Sequence, residues 1–467
     1  MKQNLSDIIE AFIPGDWGND VFSEETPNDV RCIRGADLEN VNKNLKNNIP
    51  CRFISNSSLK SRILEVGDII IEKSGGSPTQ STGRTAYLSK DLLESIGDTV
   101  CSNFCVGFRV IPGVNSRYIS YYLELVYKSG VFFNFEGKTT GIKNLLLDIA
   151  FSSISIPTFN LSEQKNIINI LTPIDDKIIL NNHINAELEA MAKTFYDYWF
   201  VQFDFPDENG KPYKSSGGKM VWNEEMKRQI PGGWEAVKMK DWILVDKSGD
   251  WGKEEHGGNF TKKVTCIRGA DIKGLNGLAE LKPPVRYILE KNSSKILNSH
   301  DLIIEISGGS PIQSTGRIAF ITDATVRRFE NPLICSNFCK TITIKNKKLL
   351  YNFVYYWNSL YDAGIFFGYE GKTSGIKNLL FDSFVSSFYT VVPDDKIADQ
   401  FYNIMENIQE KKQNALAENQ QLAELRDWLL PMLMNGQVKV GEAIEQILNI
   451  AAEHVQRYKK GKSGKVK

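Results

Sequence analysis

Two glycine-rich segments carry side chains that can read the edges of nucleic-acid bases. They are SGGSPTQSTGR at residues 74–84 and SGGSPIQSTGR at residues 307–317, and each contains one glutamine and one arginine. Arginine can donate two hydrogen bonds to guanine, and glutamine can form two with adenine. Glycine lets a backbone approach a duplex closely because it carries no side chain. We therefore predict DNA contacts from the four side chains Gln80, Arg84, Gln313 and Arg317.

A second set of cations lies in two further repeated segments. The segments 138–144 and 372–378 contain lysines, which suit phosphates better than bases. One arginine also lies in each CIRGAD motif. The alternative is that these segments are tight turns with a purely structural role. The additional predicted DNA contacts are Lys138, Lys143, Lys372, Lys377, Arg34 and Arg268.

Every one of these motifs occurs twice because the chain is an internal duplication. GDWG at 15–18 recurs at 249–252, and CIRGAD at 32–37 recurs at 266–271, both with the same offset along the chain. CSNFC at 101–105 returns unchanged at Cys335 to Cys339, again with that offset. Solenoid repeats are about 20 to 50 residues long, so this much longer period indicates a duplicated domain.

Composition limits the class of protein. The 467 residues are 42% hydrophobic, which is enough for several cores, and 56 Lys and Arg balance 56 Asp and Glu. A globally basic nucleic-acid binder is therefore not indicated, although a local basic groove is possible. We find no signal peptide or apolar span of membrane length, and we expect a cytoplasmic protein without membrane contact. Seven cysteines in such a chain predict reduced thiols.

After each copy the apolar residues recur in threes and fours, which is typical of a coiled-coil helix. The Thr172–Pro173 pair predicts a helix restart or kink there, with Thr172 as the N-cap. The helix from residue 173 to 200 would span about 40 Å. The predicted stripes contain Ile167, Leu171, Ile174, Ile178, Ile184, Leu188, Met191, Phe195 and Tyr198 in the first copy, and Phe401, Met405, Ile408, Leu422, Leu425 and Leu429 in the second.

These patterns predict an α+β fold. Two similar mixed α/β domains are separated by a pair of long antiparallel coiled-coil helices, with an approximate two-fold relation. We expect a first recognition domain at 1–160, a central helix at 161–203, a linker at 204–232, a second recognition domain at 233–394, a C-terminal helix at 395–436 and a basic tail at 437–467.

Motifs for catalysis or metal binding are weak. The single Pro-Pro pair, at 283–284, does not match an amino-methyltransferase motif, and the glycine-rich segments do not have the spacing of a phosphate loop. We interpret residues 68–73 as an alternating strand with charged ends. Cys101, Asn103 and Cys105 would share one strand face, which favours buried thiols over a zinc site, and we predict no metal.

Several segments together resemble one known family. ISIP at 154–157, LSEQ at 161–164, IDDKI at 174–178 and FVQFD at 200–204 resemble the central region of the DNA-specificity subunits of type I restriction-modification enzymes. The run NQQLAELRDWLLP from residue 419 is similar to the second helix of that family. The resemblance extends over nearly the whole chain, and the order of the parts agrees.

The resemblance implies a non-catalytic subunit that recognises a bipartite site on double-stranded DNA. It also implies two methyltransferase subunits docked on the helices, restriction subunits that join them, and S-adenosylmethionine bound by the methyltransferase rather than by this chain. The alternative is a tandem structural or protein-interaction module without DNA binding. The predicted partner-binding helix residues are Ile167, Ile174, Leu188, Phe195, Phe401, Ile408, Leu422 and Leu429.

The near identity of the two copies sharpens the expectation about the target. Two similar domains related by a two-fold axis should read inverted copies of one half-site. We therefore predict an interrupted, nearly palindromic target. A helix of about 40 Å corresponds to roughly 12 base pairs between half-site centres at about 3.4 Å per base pair.

Overall fold

The computed structural model describes residues 3–437, apart from residues 47, 76, 78, 140, 141, 158, 280, 309, 311, 374 and 375. Residues 438–467 of the predicted basic tail lie outside the described residues. The chain forms two compact units: unit 1 contains residues 1–179 and 421–467, and unit 2 contains residues 180–420. Each unit thus contains one copy of the repeat together with a part of each long helix.

Unit 1 is built on small sheets packed with helices. A four-stranded antiparallel sheet has the order β2-β9-β5-β7, and three-stranded sheets have the orders β4-β3-β8 and β10-β11-β6. A short pair, β1-β12, joins the two ends of the repeat. The strands are β1 (Gln3–Asn4), β2 (Ile9–Pro14), β3 (Asn28–Ile33), β4 (Cys51–Ile54), β5 (Ile69–Glu72), β6 (Ser74–Gly75), β7 (Thr85–Tyr87), β8 (Thr99–Cys101), β9 (Cys105–Val110), β10 (Glu136–Thr139), β11 (Ile142–Leu145) and β12 (Ser155–Ile156). The helices are α1 (Leu38–Asn42), α2 (Asn56–Arg62), α3 (Lys90–Ile96), α4 (Ser116–Lys128), α5 (Leu147–Ser153) and the start of α6 (Leu161–Tyr196).

Unit 2 repeats this topology sheet for sheet. Its sheets have the orders β16-β23-β19-β21, β18-β17-β22, β20-β25-β24 and β15-β26, with an additional hairpin β13-β14. The strands are β13 (Met220–Asn223), β14 (Arg228–Pro231), β15 (Glu235–Lys238), β16 (Ile243–Ser248), β17 (Phe260–Ile267), β18 (Val285–Leu289), β19 (Asp301–Glu305), β20 (Ser307–Gly308), β21 (Ile318–Phe320), β22 (Leu333–Cys335), β23 (Cys339–Ile344), β24 (Glu370–Thr373), β25 (Ile376–Leu379) and β26 (Tyr389–Val392). The helices are α7 (Met239–Trp242), α8 (Ile272–Leu275), α9 (Asp323–Arg328), α10 (Leu350–Asp362), α11 (Phe381–Ser387) and α12 (Asp395–Met434), whose last turns belong to unit 1. The predicted α+β duplication is confirmed.

The strand β5 differs from its predicted pattern. All four of its residues are buried, whereas we expected alternating exposure. β5 lies inside the four-stranded sheet between β9 and β7, and both of its faces are covered. Strands buried on both faces have continuous apolar sequences, which explains the run Ile69 to Ile71.

The predicted placement of Cys101 and Cys105 on one strand was also wrong, because Cys101 ends β8 and Cys105 begins β9.

Helix α6 is continuous through Pro173, so the predicted restart at Thr172 was wrong. It begins instead at Leu161, where Asn160 and Glu163 form reciprocal side-chain hydrogen bonds of 2.9 Å. Proline removes one backbone donor from a helix, but Leu171 and Ile174 on either side of it are buried in the core of unit 1 and stabilise the turn. The 36 residues span about 54 Å rather than 40 Å.

The two long helices pair within each unit. In unit 2, Asn181 Nδ2 donates to Asn419 Oδ1 at 2.9 Å, and Glu189 forms an ion pair with Lys412. The partner number falls as the α6 number rises, so the segments run antiparallel as predicted. In unit 1, Asp175 of α6 pairs with Arg426 of α12 at 3.0 Å.

The predicted linker between the copies is ordered. It contains the hairpin β13-β14 and the buried Phe205, and Phe203 and Trp234 at its two ends are buried with Phe205 in the core of unit 2. The Phe205 and Trp234 rings stack with their centroids 4.8 Å apart. This segment therefore contributes to packing, although its many turn residues predicted an irregular connection.

Candidate nucleic-acid interface

A buried carboxylate organises the glycine-rich segment of each unit. Glu72, the last residue of β5, is 3% exposed, and its two oxygens accept hydrogen bonds from Arg84 Nε and Nη2 at 2.9 and 2.7 Å. Glu305 and Arg317 repeat this pair at 2.7 and 2.6 Å. The hydrogen bonds that Arg84 donates to Glu72 raise the pKa of the Arg84 guanidinium above its ordinary value. A charge buried to this extent requires such a partner, so the arginine has a structural task.

Two glycines approach the same carboxylate. A Cβ atom on Gly35 would lie 2.8 Å from Glu72 Oε1, and one on Gly75 would lie 2.7 Å from it. Gly75 also has φ +142°, a conformation that side chains disfavour. Gly269 and Gly308 stand against Glu305 in the same way, at 2.7 and 2.8 Å. The CIRGAD and SGGSP motifs therefore converge on one buried acid in each unit.

A second carboxylate ties the glycine-rich segment to the hairpin β10-β11. Glu136 Oε1 accepts from the Thr82 backbone N–H at 2.8 Å, and its Oε2 contacts Lys143 Nζ at 3.0 Å. In unit 2 the same contacts of Glu370, with Thr315 and Lys377, measure 2.8 and 2.9 Å.

Further contacts join this segment to β11. Ser74 Oγ donates to Asn144 Oδ1 at 2.5 Å, and the Lys143 side chain also reaches the Gln80 carbonyl at 3.4 Å. Each unit thus presents a braced surface made of the glycine-rich turn and the hairpin, which we call the loop cluster (residues 74–84 with 136–145, and 307–317 with 370–379).

The arginines of the CIRGAD motifs stabilise their own turns. Arg34 donates from Nε and Nη2 to the buried Asp37 at 2.8 and 2.9 Å and to the Asn48 carbonyl at 2.9 Å. Arg268 repeats this with Asp271, and both guanidinium groups remain more than a third exposed. DNA contact by these arginines stays a prediction.

Among the ten predicted DNA-binding residues, the two glutamines have side chains that form the fewest contacts within the described part of the fold. Gln80 closes a tight turn with Ser77 through its backbone, and Gln313 does so with Ser310. Within the described residues, neither side-chain amide forms a hydrogen bond, and Gln80 is exposed. The backbones of Lys138 and Lys372 lie in β10 and β24, whereas their side chains lie outside the described part. The amides of Gln80 and Gln313 are therefore not used by the fold among the described residues, and base contact by them stays a prediction.

Glu72, Glu136 and their counterparts Glu305 and Glu370 were missed as site residues. We interpreted Glu72 only as the charged end of a strand. The sequence does contain a signal, because each buried acid recurs at the same distance from its basic partner in both copies: twelve residues for Glu72–Arg84 and Glu305–Arg317, and seven for Glu136–Lys143 and Glu370–Lys377.

The predicted partner-binding helix residues mostly face the cores of the units. All eight are buried or partly buried on the inside of long-helix segments, and Leu188 and Phe195 pack against the core of unit 2. The seam residues Ile184 and Met191, which we expected to be interior, are 44% and 49% exposed. Together with Leu180, 53% exposed, they form an apolar stripe on one face of α6. The six predicted partner-binding residues other than Leu188 and Phe195 are Ile167, Ile174, Phe401, Ile408, Leu422 and Leu429.

The cysteines are free thiols, and all except Cys51 are buried. Burial raises the pKa of Cys32, Cys101, Cys105 and Cys266 to about 12. Over the described parts of the chain, no group of three or more His, Cys, Asp or Glu side chains could hold a metal ion. No helix in those parts is both long and apolar enough to cross a bilayer.

Known proteins resemble the chain in sequence and in fold. Residues 29–190 match the family model of the type I restriction modification DNA specificity domain. The type I restriction enzyme MjaIX specificity subunit of Methanocaldococcus jannaschii is 24% identical over 344 residues, which cover 72% of this chain and 73% of that protein. The HindI specificity subunit of Haemophilus influenzae is 44% identical over 59 residues, which cover 12% of this chain and 13% of that protein.

A solved structure supports the fold independently. The S subunit of a type I restriction-modification system from M. genitalium is similar with a TM-score of 0.54 and 14% identity, over 93% of this chain and 96% of that one. Residues 29–190 are thus similar to a type I restriction modification DNA specificity domain, and 93% of the chain is similar in fold to an S subunit of such a system.

Proposed function

We propose that the two units read inverted, nearly identical half-sites of one interrupted DNA target. The observation that carries this proposal is the repetition of the loop cluster. The Glu72–Arg84 hydrogen bonds of 2.9 and 2.7 Å correspond to 2.7 and 2.6 Å for Glu305–Arg317. The contacts of Glu136, 2.8 and 3.0 Å, correspond to 2.8 and 2.9 Å in unit 2. Because the two loop clusters have the same internal contacts, they would present the same hydrogen-bond donors and acceptors to a DNA groove.

Gln80 and Gln313 are the base-reading side chains in this proposal. Their amides have no hydrogen-bond partner among the described residues, and a glutamine amide matches the N6 and N7 edge of adenine. Each half-site therefore contains an adenine at the equivalent position. Arg84 and Arg317 keep the loop in shape through their buried acids, and Lys143 and Lys377 support the adjoining hairpin.

The chain acts within a larger complex in this proposal. It catalyses no methyl transfer or cleavage itself; two methyltransferase subunits, which bind S-adenosylmethionine, and restriction subunits supply the chemistry. The apolar stripe of Leu180, Ile184 and Met191 is the docking surface for one methyltransferase, because apolar side chains on a free helix face are typical of protein interfaces.

The test is selection from a pool of randomised duplexes by the assembled methyltransferase complex. The wild-type complex should enrich one half-site in two inverted copies. Gln80→Ala should relax one adenine position in one half-site, and Gln313→Ala should relax the matching position in the other, each with a loss of about 1–3 kcal/mol of discrimination. Gln229→Ala, at an exposed position of the hairpin strand β14, is the control and should change nothing. Enrichment unaffected by either loop variant would contradict the assignment.

A further inference from the structure

Helix α12 contains a buried cation that no DNA-facing function uses. Lys412 is 1% exposed, and its ammonium forms an ion pair with Glu189 of α6, whose side chain is 30% exposed. Close to this pair, the hydroxyl of the buried Tyr355 accepts a hydrogen bond from Gln409 Nε2 at 3.3 Å. A lysine is almost never fully buried without a partner, so the position of Lys412 in unit 2 depends on Glu189.

Unit 1 contains a second ion pair between the same two helices. Arg426 of α12 contacts Asp175 of α6 at 3.0 Å, and the two side chains are 22% and 12% exposed. In both pairs the acid comes from α6 and the base from α12. In these two ion pairs the charges are therefore arranged asymmetrically, because α6 supplies the carboxylates and α12 supplies the cations.

The repeat does not preserve either pair. At the offset that places GDWG 15–18 on GDWG 249–252, Lys412 corresponds to Ile178 and Glu189 corresponds to Ala423. In the same way, Arg426 corresponds to Ala192 and Asp175 to Gln409. Each pair thus occurs in one unit only, at positions where the other unit has uncharged side chains.

We propose that these pairs select the partner helix, so that α12 accepts α6 and rejects the α12 of a second copy of this chain. If two α12 helices met in the geometry of unit 2, Lys412 would face Ala423 and Gln409 would face Arg426. Lys412 would then be buried without a carboxylate, and Arg426 would keep Asp427 of its own helix but lose Asp175. A single polar residue in a helical seam can fix partner choice in this way at some cost in stability.

The rejection is one-sided and depends mainly on Lys412. If two α6 helices met, Asp175 would keep its contacts with the Tyr121 hydroxyl at 2.6 Å and with Arg117 at 3.4 Å. Glu189, being partly exposed, could turn toward water. Lys412 is buried, so its ammonium group cannot turn toward water in the same way. Loss of one partner from a buried pair is much more costly than replacement of both by apolar groups, so removal of Glu189 should harm the chain more than removal of Lys412.

The test uses full-length variants that copy unit 1 into unit 2. Glu189→Ala should lower the melting temperature by on the order of 10 °C, because Lys412 stays buried and unpaired. Lys412→Ile should lower it by only about 3 °C. The double variant, Lys412→Ile with Glu189→Ala, should melt no lower than wild type.

The readout of partner choice is association between copies. Two differently tagged copies of the double variant should co-purify, and light scattering should show a dimer fraction raised at least about tenfold over wild type. The exchange Lys412→Glu with Glu189→Lys should restore the wild-type monomer fraction. Glu187→Ala with Lys411→Ala, on exposed faces of the same helices, is the control and should behave as wild type. A double variant that is stable but no more dimeric than wild type would overturn the proposal, since the pair would then only stabilise the fold.

Discussion

The loop clusters of the two units are alike, whereas the helix interfaces are different. Glu72–Arg84 and Glu305–Arg317 have the same two-pronged geometry. At equivalent places on the helices, unit 1 has the charged Asp175 and unit 2 has the neutral Gln409. The comparison separates two tasks. Under the proposed function, the same surface is used twice to read two similar half-sites. Under the proposed partner selection, different helix pairs prevent association with the wrong segment.

The largest effects should come from the buried acids of the loop clusters. Arg84→Met leaves Glu72 without its cation and should destabilise unit 1 by about 3 kcal/mol. Arg317→Met should have an equal effect on unit 2, since its acid is buried to the same degree. Hydrogen exchange of the β5 and β19 amides measures each unit separately.

A paired replacement checks the cause of that effect. Arg84→Met combined with Glu72→Leu removes both charges and should recover most of the lost stability, because an apolar pair avoids the cost of burying ions. If the double variant were as unstable as Arg84→Met, or if the two units responded by clearly different amounts, the equivalence of the loop clusters would be wrong.

The sequence predicts the duplication, the helices and the glycine-rich turns because these depend on local patterns. The constant offset between matching motifs reveals the copies, and the spacing of apolar residues reveals α4, α6, α10 and α12. The exposure of Ile184 and Met191 was not predictable from apolar spacing, because the buried face of α6 contains the polar Asn181 and Asn185 and the small Ala192 in this region.

Tertiary contacts account for the other differences between sequence and structure. Helix α6 continues through Pro173 because neighbouring side chains are buried. Glu72 appeared to be a strand end because its partner Arg84 is distant in sequence and reaches it only in the folded chain. The helix ion pairs, with partners such as Glu189 and Lys412, join residues that are far apart along the chain and give no periodic signal.

A smaller effect should distinguish the helix interfaces by pH. Burial pushes the pKa of Asp427 upward, but Lys128 and Arg426 outweigh it and hold that pKa below its ordinary value. The pair therefore stabilises unit 1 above about pH 4, where the carboxyl is also ionised in the unfolded chain, and the contribution disappears as pH falls through the lower folded pKa.

Asp427→Asn tests this difference. It should cost about 0.5 kcal/mol at pH 7, because the side chain is half exposed. Wild type and variant should converge in urea unfolding at pH 3. The equivalent residue of unit 2 is Lys193, which forms an ion pair with Asp362, the counterpart of Lys128, at 4.0 Å. A difference between wild type and variant that grew in acid would contradict the direction of the pKa shift.

The smallest perturbation is chemical labelling of thiols. Cys51 is exposed, and its counterpart in unit 2 is Val285, whereas burial raises the pKa values of the other six thiols and hinders access to them. Iodoacetamide at pH 8 should modify Cys51 alone in the native chain, and peptide mass spectrometry would detect it. Fast labelling of Cys266 or Cys335 would show that unit 2 opens more readily than its packing indicates.

The central claim is that two equivalent loop clusters read two equivalent half-sites. The most direct measurement is the methylome of a strain that carries this subunit with its methyltransferase. The account predicts one interrupted motif whose two halves are inverted copies of nearly the same sequence, with an adenine at corresponding positions. Two unrelated half-sites would contradict it.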